Sequence, residues 1–115
     1  MNESILNEVK KMLGIDSSYD AFDDELIPHI NSTFSRLTTL GVGPKNGFRI
    51  TGNTEKWSDF IDENNELNNI KDFMYIKVKL LFDPPQNSFL VNSLESQAKE
   101  LEWLINVSAE REVNT

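Results

Sequence analysis

The chain contains no cysteine and only one histidine, His29, among its 115 residues. Without cysteine it can form neither a disulfide nor a zinc–thiolate site, and it has no thiol nucleophile. A lone histidine excludes a two-histidine metal site of the HExxH type within one chain. We therefore expect no catalytic residues, no metal and no cofactor, and a reducing cytoplasm is the simplest compartment for its synthesis.

Basic residues and long apolar runs are also scarce. Eleven lysines and arginines face nineteen acidic residues, which gives a formal net charge of -8. Because neutralisation of phosphates by lysine and arginine supplies most non-specific affinity for nucleic acids, direct binding to DNA or RNA is disfavoured. The apolar stretch near residue 80 is interrupted by Lys77, Lys79 and Asp83. It is shorter than the roughly 20 apolar residues that span a bilayer, so no membrane segment is predicted.

Two segments contain residue types that are common in ligand sites, but each lacks residues that the corresponding binding motif requires. The run GVGP at residues 41–44 has neither the third glycine of a dinucleotide loop nor the lysine of a P-loop. The acidic residues between Asp16 and Glu25 lack the central glycine and final glutamate of a calcium loop. Acidic side chains at the start of a helix are expected in any case, since they complement the helix dipole.

Apolar residues at helical spacing predict two helices in the first third of the chain. The first covers residues 5–13 and ends before Gly14, with Lys10 outside its apolar stripe. The second covers residues 22–40 and contains Pro28, which predicts either a kink or a fresh start of the helix there.

A long loop follows, because residues 41–53 contain four glycines and a proline. Residues 48–51 within it have the composition of a short strand, although the sequence offers no evident partner strand. Thr54 is then the predicted N-cap of a short helix that carries Trp57 and Phe60.

The next helix is apolar on two faces between residues 67 and 81, which is typical of the central helix of a bundle. The alternation at residues 76–80 leaves a strand open as the alternative. Pro84 and Pro85 then form a rigid corner, since proline lacks an N–H and restricts the residue before it.

Asn87 or Ser88 is predicted to cap the last helix. Its core stripe consists of Leu90, Leu94, Ala98, Leu101 and Ile105. We therefore expect an all-α fold, a small bundle of four or five helices with one long Gly-rich loop that includes at most a short β segment. The domain is expected to cover residues 1–106, and residues 107–115 form a polar C-terminal tail.

Two aromatic residues lie on the side of the last helix that should face water. Phe89, Ser96 and Trp103 repeat at seven residues, almost opposite the stripe of Leu94. Two explanations stay open: another element of the same domain packs on these rings, or a protein partner covers them.

Taken in order, four segments of the chain resemble the small head-tail connector (head-completion adaptor) proteins of tailed bacteriophages and prophages. They are FDDELIPHIN at 22–31, LGVGP at 40–44, YIKVKLLFDPP at 75–85 and ELEW at 100–103. The resemblance implies a structural, non-catalytic helical adaptor. Such proteins assemble as a ring, typically of twelve copies, below the portal and extend the DNA channel toward the tail.

The resemblance also implies the partners: other copies of the chain, the portal protein, and a tail-side connector or stopper protein. DNA passes through the channel without specific binding, and the protein is made in the host cytoplasm and resides at the capsid vertex. Because a heterologous ring interface needs two different patches, the interface candidates are Phe48, Arg49 and Ile50 of the loop, and Phe89 and Trp103 of the last helix.

A different function remains open, that of a small acidic regulatory module that presents carboxylates to a basic partner. Such a module would concentrate its charge on one continuous face, whereas the acidic residues here are scattered over helices and loops. An enzyme is the least favoured class, since catalytic motifs are missing.

Overall fold

The fold is known from a computed structural model, which describes residues 4–62 and 66–113 and, of these, the side chains as far as residue 110. Its helices are α1 (Ile5–Met12), α2 (Asp23–Thr39), α3 (Trp57–Phe60), α4 (Glu66–Phe82) and α5 (Ser88–Val113). Within the described residues the β pairing consists of one isolated antiparallel bridge between Ser4 and Lys56. The predicted all-α class is confirmed.

α1 begins and ends where the sequence predicts. The hydroxyl of Ser4 accepts a hydrogen bond from the backbone N–H of Asn7 at 3.1 Å, and this caps the helix. Beyond the helix, Gly14 has a φ of 83°, a left-handed conformation that glycine adopts at little cost.

The prediction that Lys10 lies outside the buried side of α1 is wrong. Its side chain is only 1% exposed, and its Nζ donates to the carbonyl of Ser17 at 3.1 Å. Nζ also pairs with the Asp23 carboxylate at 2.9 Å. The loop between α1 and α2 covers a helix face that periodicity alone assigns to water.

α2 is continuous through Pro28, so the helix does not start afresh there. Pro28 is exposed on the surface of α2. Water can therefore reach the carbonyl of Asp24, which loses its intrahelical partner because proline has no N–H.

α4 is the central helix of the bundle, as predicted, and it packs against α5, α2 and α1. Its buried residues lie on two faces: Leu67, Ile70, Phe73, Met74, Ile76 and Val78. Residues 76–80 are helical, which excludes the alternative of a strand.

The double-proline corner separates α4 from α5. α4 ends at Phe82, and the side chain of Asn87 caps α5 by accepting from the N–H groups of Phe89 at 2.8 Å and Leu90 at 3.3 Å. The predicted cap at Asn87 is therefore confirmed.

The core stripe of α5 is shorter than predicted at its start. Ala98 and Ile105 are buried and Leu94 and Leu101 are partly buried, but Leu90 is 50% exposed. α4 and α5 pack against each other, and Ile70 and Ile105 line the same cavity. Leu90, in the first turn of α5, lies outside this buried stripe.

α5 does not end at residue 106, because the helix continues to Val113. The Nδ2 of Asn106 donates to the carbonyl of Leu40 at 3.2 Å, which joins this part of α5 to the end of α2. The polar tail predicted from residue 107 is thus helical over residues 107–113, and residues 114–115 lie outside the described part of the chain.

The segment 48–51 forms no strand in the described structure. The side chain of Asn31 takes the place of a partner strand: its Oδ1 accepts from the N–H of Ile50 at 2.7 Å, and its Nδ2 donates to the carbonyl of Ile50 at 3.0 Å.

The N-cap of α3 is Lys56 rather than the predicted Thr54, and the N–H of Lys56 donates to the carboxylate of Asp59 at 2.8 Å.

Candidate interaction surfaces

The described part of the chain offers little of what a metal site or a membrane anchor requires. Within it, no group of three or more acidic or histidine side chains is placed to hold a metal ion. No helix among the described residues is both long enough and apolar enough to cross a bilayer.

A cavity of ~670 Å³ lies between the GVGP loop, α3 and the paired helices α4 and α5. Its polar lining includes Asp59, Asp62 and Glu66 but, within the described residues, neither histidine nor lysine. Gly43 forms part of its wall with a φ of 84°, and a Cβ there would lie 2.4 Å from the ring of Phe60. The loop is therefore shaped by packing, which supports its assignment as a structural loop rather than a phosphate cradle.

The three candidates in the loop have different environments. The ring of Phe48 packs on Phe34 and Phe60 at centroid distances of 4.9 and 5.3 Å, and Ile50 is only 1% exposed. Arg49 alone of the three is exposed. Phe48 and Ile50 thus belong to the core, so Arg49 is the loop candidate that can contact a partner without opening the fold.

The two candidates on α5 are exposed. Phe89 is 76% exposed and Trp103 is 63% exposed, so no described element of the domain covers either ring. They lie about 21 Å apart along the helix and roughly 40° apart around it. With the half-exposed Leu90 and Leu104 they form what we call the α5 face. It is separate from Arg49, which lies in the loop after α2.

Sequence patterns alone did not reveal a third surface, which consists of Tyr19, Phe22 and Phe82. The Tyr19 and Phe22 rings lie 5.5 Å apart edge to face, and those of Phe22 and Phe82 lie 5.2 Å apart. Phe22 falls on the apolar stripe of α2 but is 38% exposed, because it precedes the first helical residue. One feature of the sequence could have indicated this surface: Tyr19 is a large aromatic residue within an acidic loop.

The carboxylates around this surface are exposed. They belong to Asp16, Asp20, Asp24 and Glu25. The Ser18 hydroxyl and N–H donate to Asp16 at 2.6 and 2.8 Å, and these hydrogen bonds hold the pKa of Asp16 below its ordinary value.

Ion pairs between helices hold α5 and α1 in place. Arg36 of α2 forms a two-pronged pair with Glu102 of α5, in which Nε donates to Oε2 at 3.2 Å. The hydrogen bond from Arg36 lowers the pKa of Glu102. Lys71 of α4 pairs with Glu8 of α1 at 3.0 Å.

The protein is a small helical domain. Its exposed aromatic rings and charged side chains are suited to contact with other macromolecules. Over residues 5–112, the chain matches the family model described as phage connector protein. The chain therefore belongs to the phage connector protein family, a family of bacteriophage head-tail connectors with a structural role in the virion. Comparison with curated proteins finds no match, and comparison with solved structures finds none either.

Proposed function

We propose that this chain assembles as a ring below the portal and extends the DNA channel from the capsid to the tail. The observation that carries the proposal is the family match over residues 5–112, which covers nearly the whole chain. Its partners are other copies of itself, the portal protein and a tail-side connector or stopper protein, and twelve copies is the number that the resemblance to head-tail connectors implies.

The α5 face supports an assembly role. Each aromatic ring can bury 150–250 Å² on average, and exposed aromatic patches mark protein interfaces. Because Phe89 and Trp103 are separated by about 21 Å of helix, a partner that covers both rings needs an extended contact along α5. A neighbouring protein in a ring or in the portal provides a contact of that kind.

The charge of the chain is compatible with DNA passing through it. A formal net charge of -8 makes the chain as a whole repel phosphates. A channel wall with that potential would not retain DNA by counterion release, the main source of non-specific affinity.

The test is to mix the purified chain with portal-bearing, DNA-filled capsids and to image the vertex by electron microscopy. We expect a ring of density below the portal, and none on capsids that lack the portal. Failure to bind any portal, combined with one-to-one capture of a basic host protein, would instead support the acidic regulatory module.

A further inference from the structure

We propose that the aromatic–acidic patch of one copy binds the basic segment, residues 45–56, of a second copy. The patch consists of the rings of Tyr19, Phe22 and Phe82 and the carboxylates of Asp20, Asp24 and Glu25. The inference rests on the proposed function, since it names a contact by which neighbouring copies join in the ring.

The rings of the patch present aromatic surface to solvent. Tyr19 is 51% exposed and Phe22 is 38% exposed, and the two rings meet edge to face with Phe82 behind them. Carboxylates beside exposed aromatic faces attract guanidinium and ammonium groups, through ion pairs and through the negative face of the ring. The patch therefore suits a cationic segment better than an apolar one.

The carboxylates of the patch are available for such a segment. Asp20, Asp24 and Glu25 are exposed, and none forms an ion pair with another described residue. Asp23, in the same stretch, is already paired with Lys10. Three like charges so near one another in the sequence repel one another, and a cationic partner would relieve that repulsion.

The basic segment has the complementary property. Lys45, Arg49 and Lys56 are exposed, and none pairs with a carboxylate of the described residues. On the helices, by contrast, Arg36 and Lys71 each pair with a glutamate. Three unpaired cations in one loop are notable in a chain whose net charge is -8.

Lys56 and the patch lie at opposite ends of α1, and no ion pair joins the two surfaces within the described part of the chain. At one end, the N–H of Ile5 donates to the carbonyl of Glu55 at 2.9 Å, next to Lys56. At the other, Lys10 is bonded to Ser17 and Asp23 beside the patch. α1 is about 12 Å long. Two complementary patches at different places on one chain are what a head-to-tail ring contact requires.

Charge reversal tests the pairing in solution. Arg49→Glu should weaken self-association, measured by sedimentation velocity, by about tenfold or more, since it places like charges opposite each other. Lys99→Glu makes the same change in net charge on an exposed residue of α5 outside both surfaces, and it should have little effect. Adding Asp20→Arg to Arg49→Glu should restore association. Equal weakening by both single variants, or no rescue by the double variant, would overturn the inference.

A crosslink tests the same contact in the assembly. Because the chain has no cysteine, a variant with Arg49→Cys and Asp20→Cys can form disulfides only between the introduced residues. A disulfide within one chain is disfavoured, since Ile50 is bonded to Asn31, two turns into α2, whereas Asp20 precedes that helix. We expect a ladder of disulfide-linked multimers on a non-reducing gel, and none from a variant that pairs Lys99→Cys with Asp20→Cys.

The outcomes separate the two proposals. A ring at the vertex without a ladder would overturn this pairing and leave the proposed function intact. A ladder in solution without a ring on portal-bearing capsids would support the pairing and count against the proposed function. The absence of both would overturn both.

Discussion

Gly43 is constrained both by its backbone conformation and by the side chain packed against it. Its φ is 84°, and a Cβ there would lie 2.4 Å from the ring of Phe60, which is buried against Phe34 and Phe48. Gly14 has nearly the same φ, 83°, but open space around it. The two glycines therefore separate the cost of the left-handed backbone from the cost of displacing a buried ring.

We predict that Gly43→Ala lowers the free energy of unfolding by about 2–4 kcal/mol, because it combines backbone strain with overpacking. Gly14→Ala should lower it by only about 1–2 kcal/mol, the cost of the backbone conformation alone. Urea denaturation followed by circular dichroism measures both values. Equal losses would mean that Phe60 moves aside without cost.

Single residues also mark the limit of what the sequence could predict. Lys10 lies outside the apolar stripe of α1, yet the loop from Ile15 to Phe22 buries it. The burial of Ile50 depends on the side chain of Asn31, nineteen residues away along the chain. Such contacts follow from the arrangement of elements, and local periodicity carries no information about them.

At the scale of elements, long periodic segments were predictable and irregular ones were not. α1, α2, α4 and most of α5 have apolar stripes that define both their type and their buried side. The exposure of Leu90 and the continuation of α5 beyond residue 106 depend on tertiary contacts, such as that between Asn106 and Leu40, which local periodicity does not reveal. Phe89 and Trp103 are exposed because no described element packs on their side of α5. Local periodicity cannot show this, so the sequence alone did not decide whether these rings are covered by the same domain or by a partner.

The contact between α2 and α5 should depend on pH. The hydrogen bond from Arg36 lowers the pKa of Glu102 in the folded protein below its unfolded value of about 4.3. A lowered pKa contributes stability above the unfolded pKa, and that contribution is lost as the pH falls through the folded pKa. We therefore predict that the difference in unfolding free energy between the wild type and Glu102→Gln is largest near pH 7 and shrinks below about pH 4.5.

Chemical denaturation at a series of pH values measures this difference. Glu100→Gln, at an exposed residue two positions earlier on α5, is the matched control for removing a carboxylate from this helix. A constant difference for Glu102→Gln would show that the pair with Arg36 contributes no net stability.

At the scale of the whole molecule, the proline corner and the central position of α4 determine what α5 presents to a neighbour. α5 is longer than α4 and begins at Ser88, shortly after α4 ends at Phe82. Pro84 and Pro85 restrict the backbone between the two helices, so the direction of α5 relative to α4 is constrained. Phe89 is consequently held on a helix of defined orientation, which suits a contact repeated around a ring.

The last prediction concerns the α5 face as a contact surface. Trp103 is 63% exposed, so Trp103→Ser should leave the helicity and stability of the free chain nearly unchanged, because little buried area is lost. It should greatly reduce assembly on portal-bearing capsids, since a large aromatic anchor is removed. Glu95→Ser, an exposed substitution about 80° around α5 from Trp103, should assemble normally, whereas Phe73→Ser should unfold the chain because Phe73 is fully buried. Circular dichroism and imaging of the vertex measure the two properties separately, and normal assembly of Trp103→Ser would show that this ring is not an anchor.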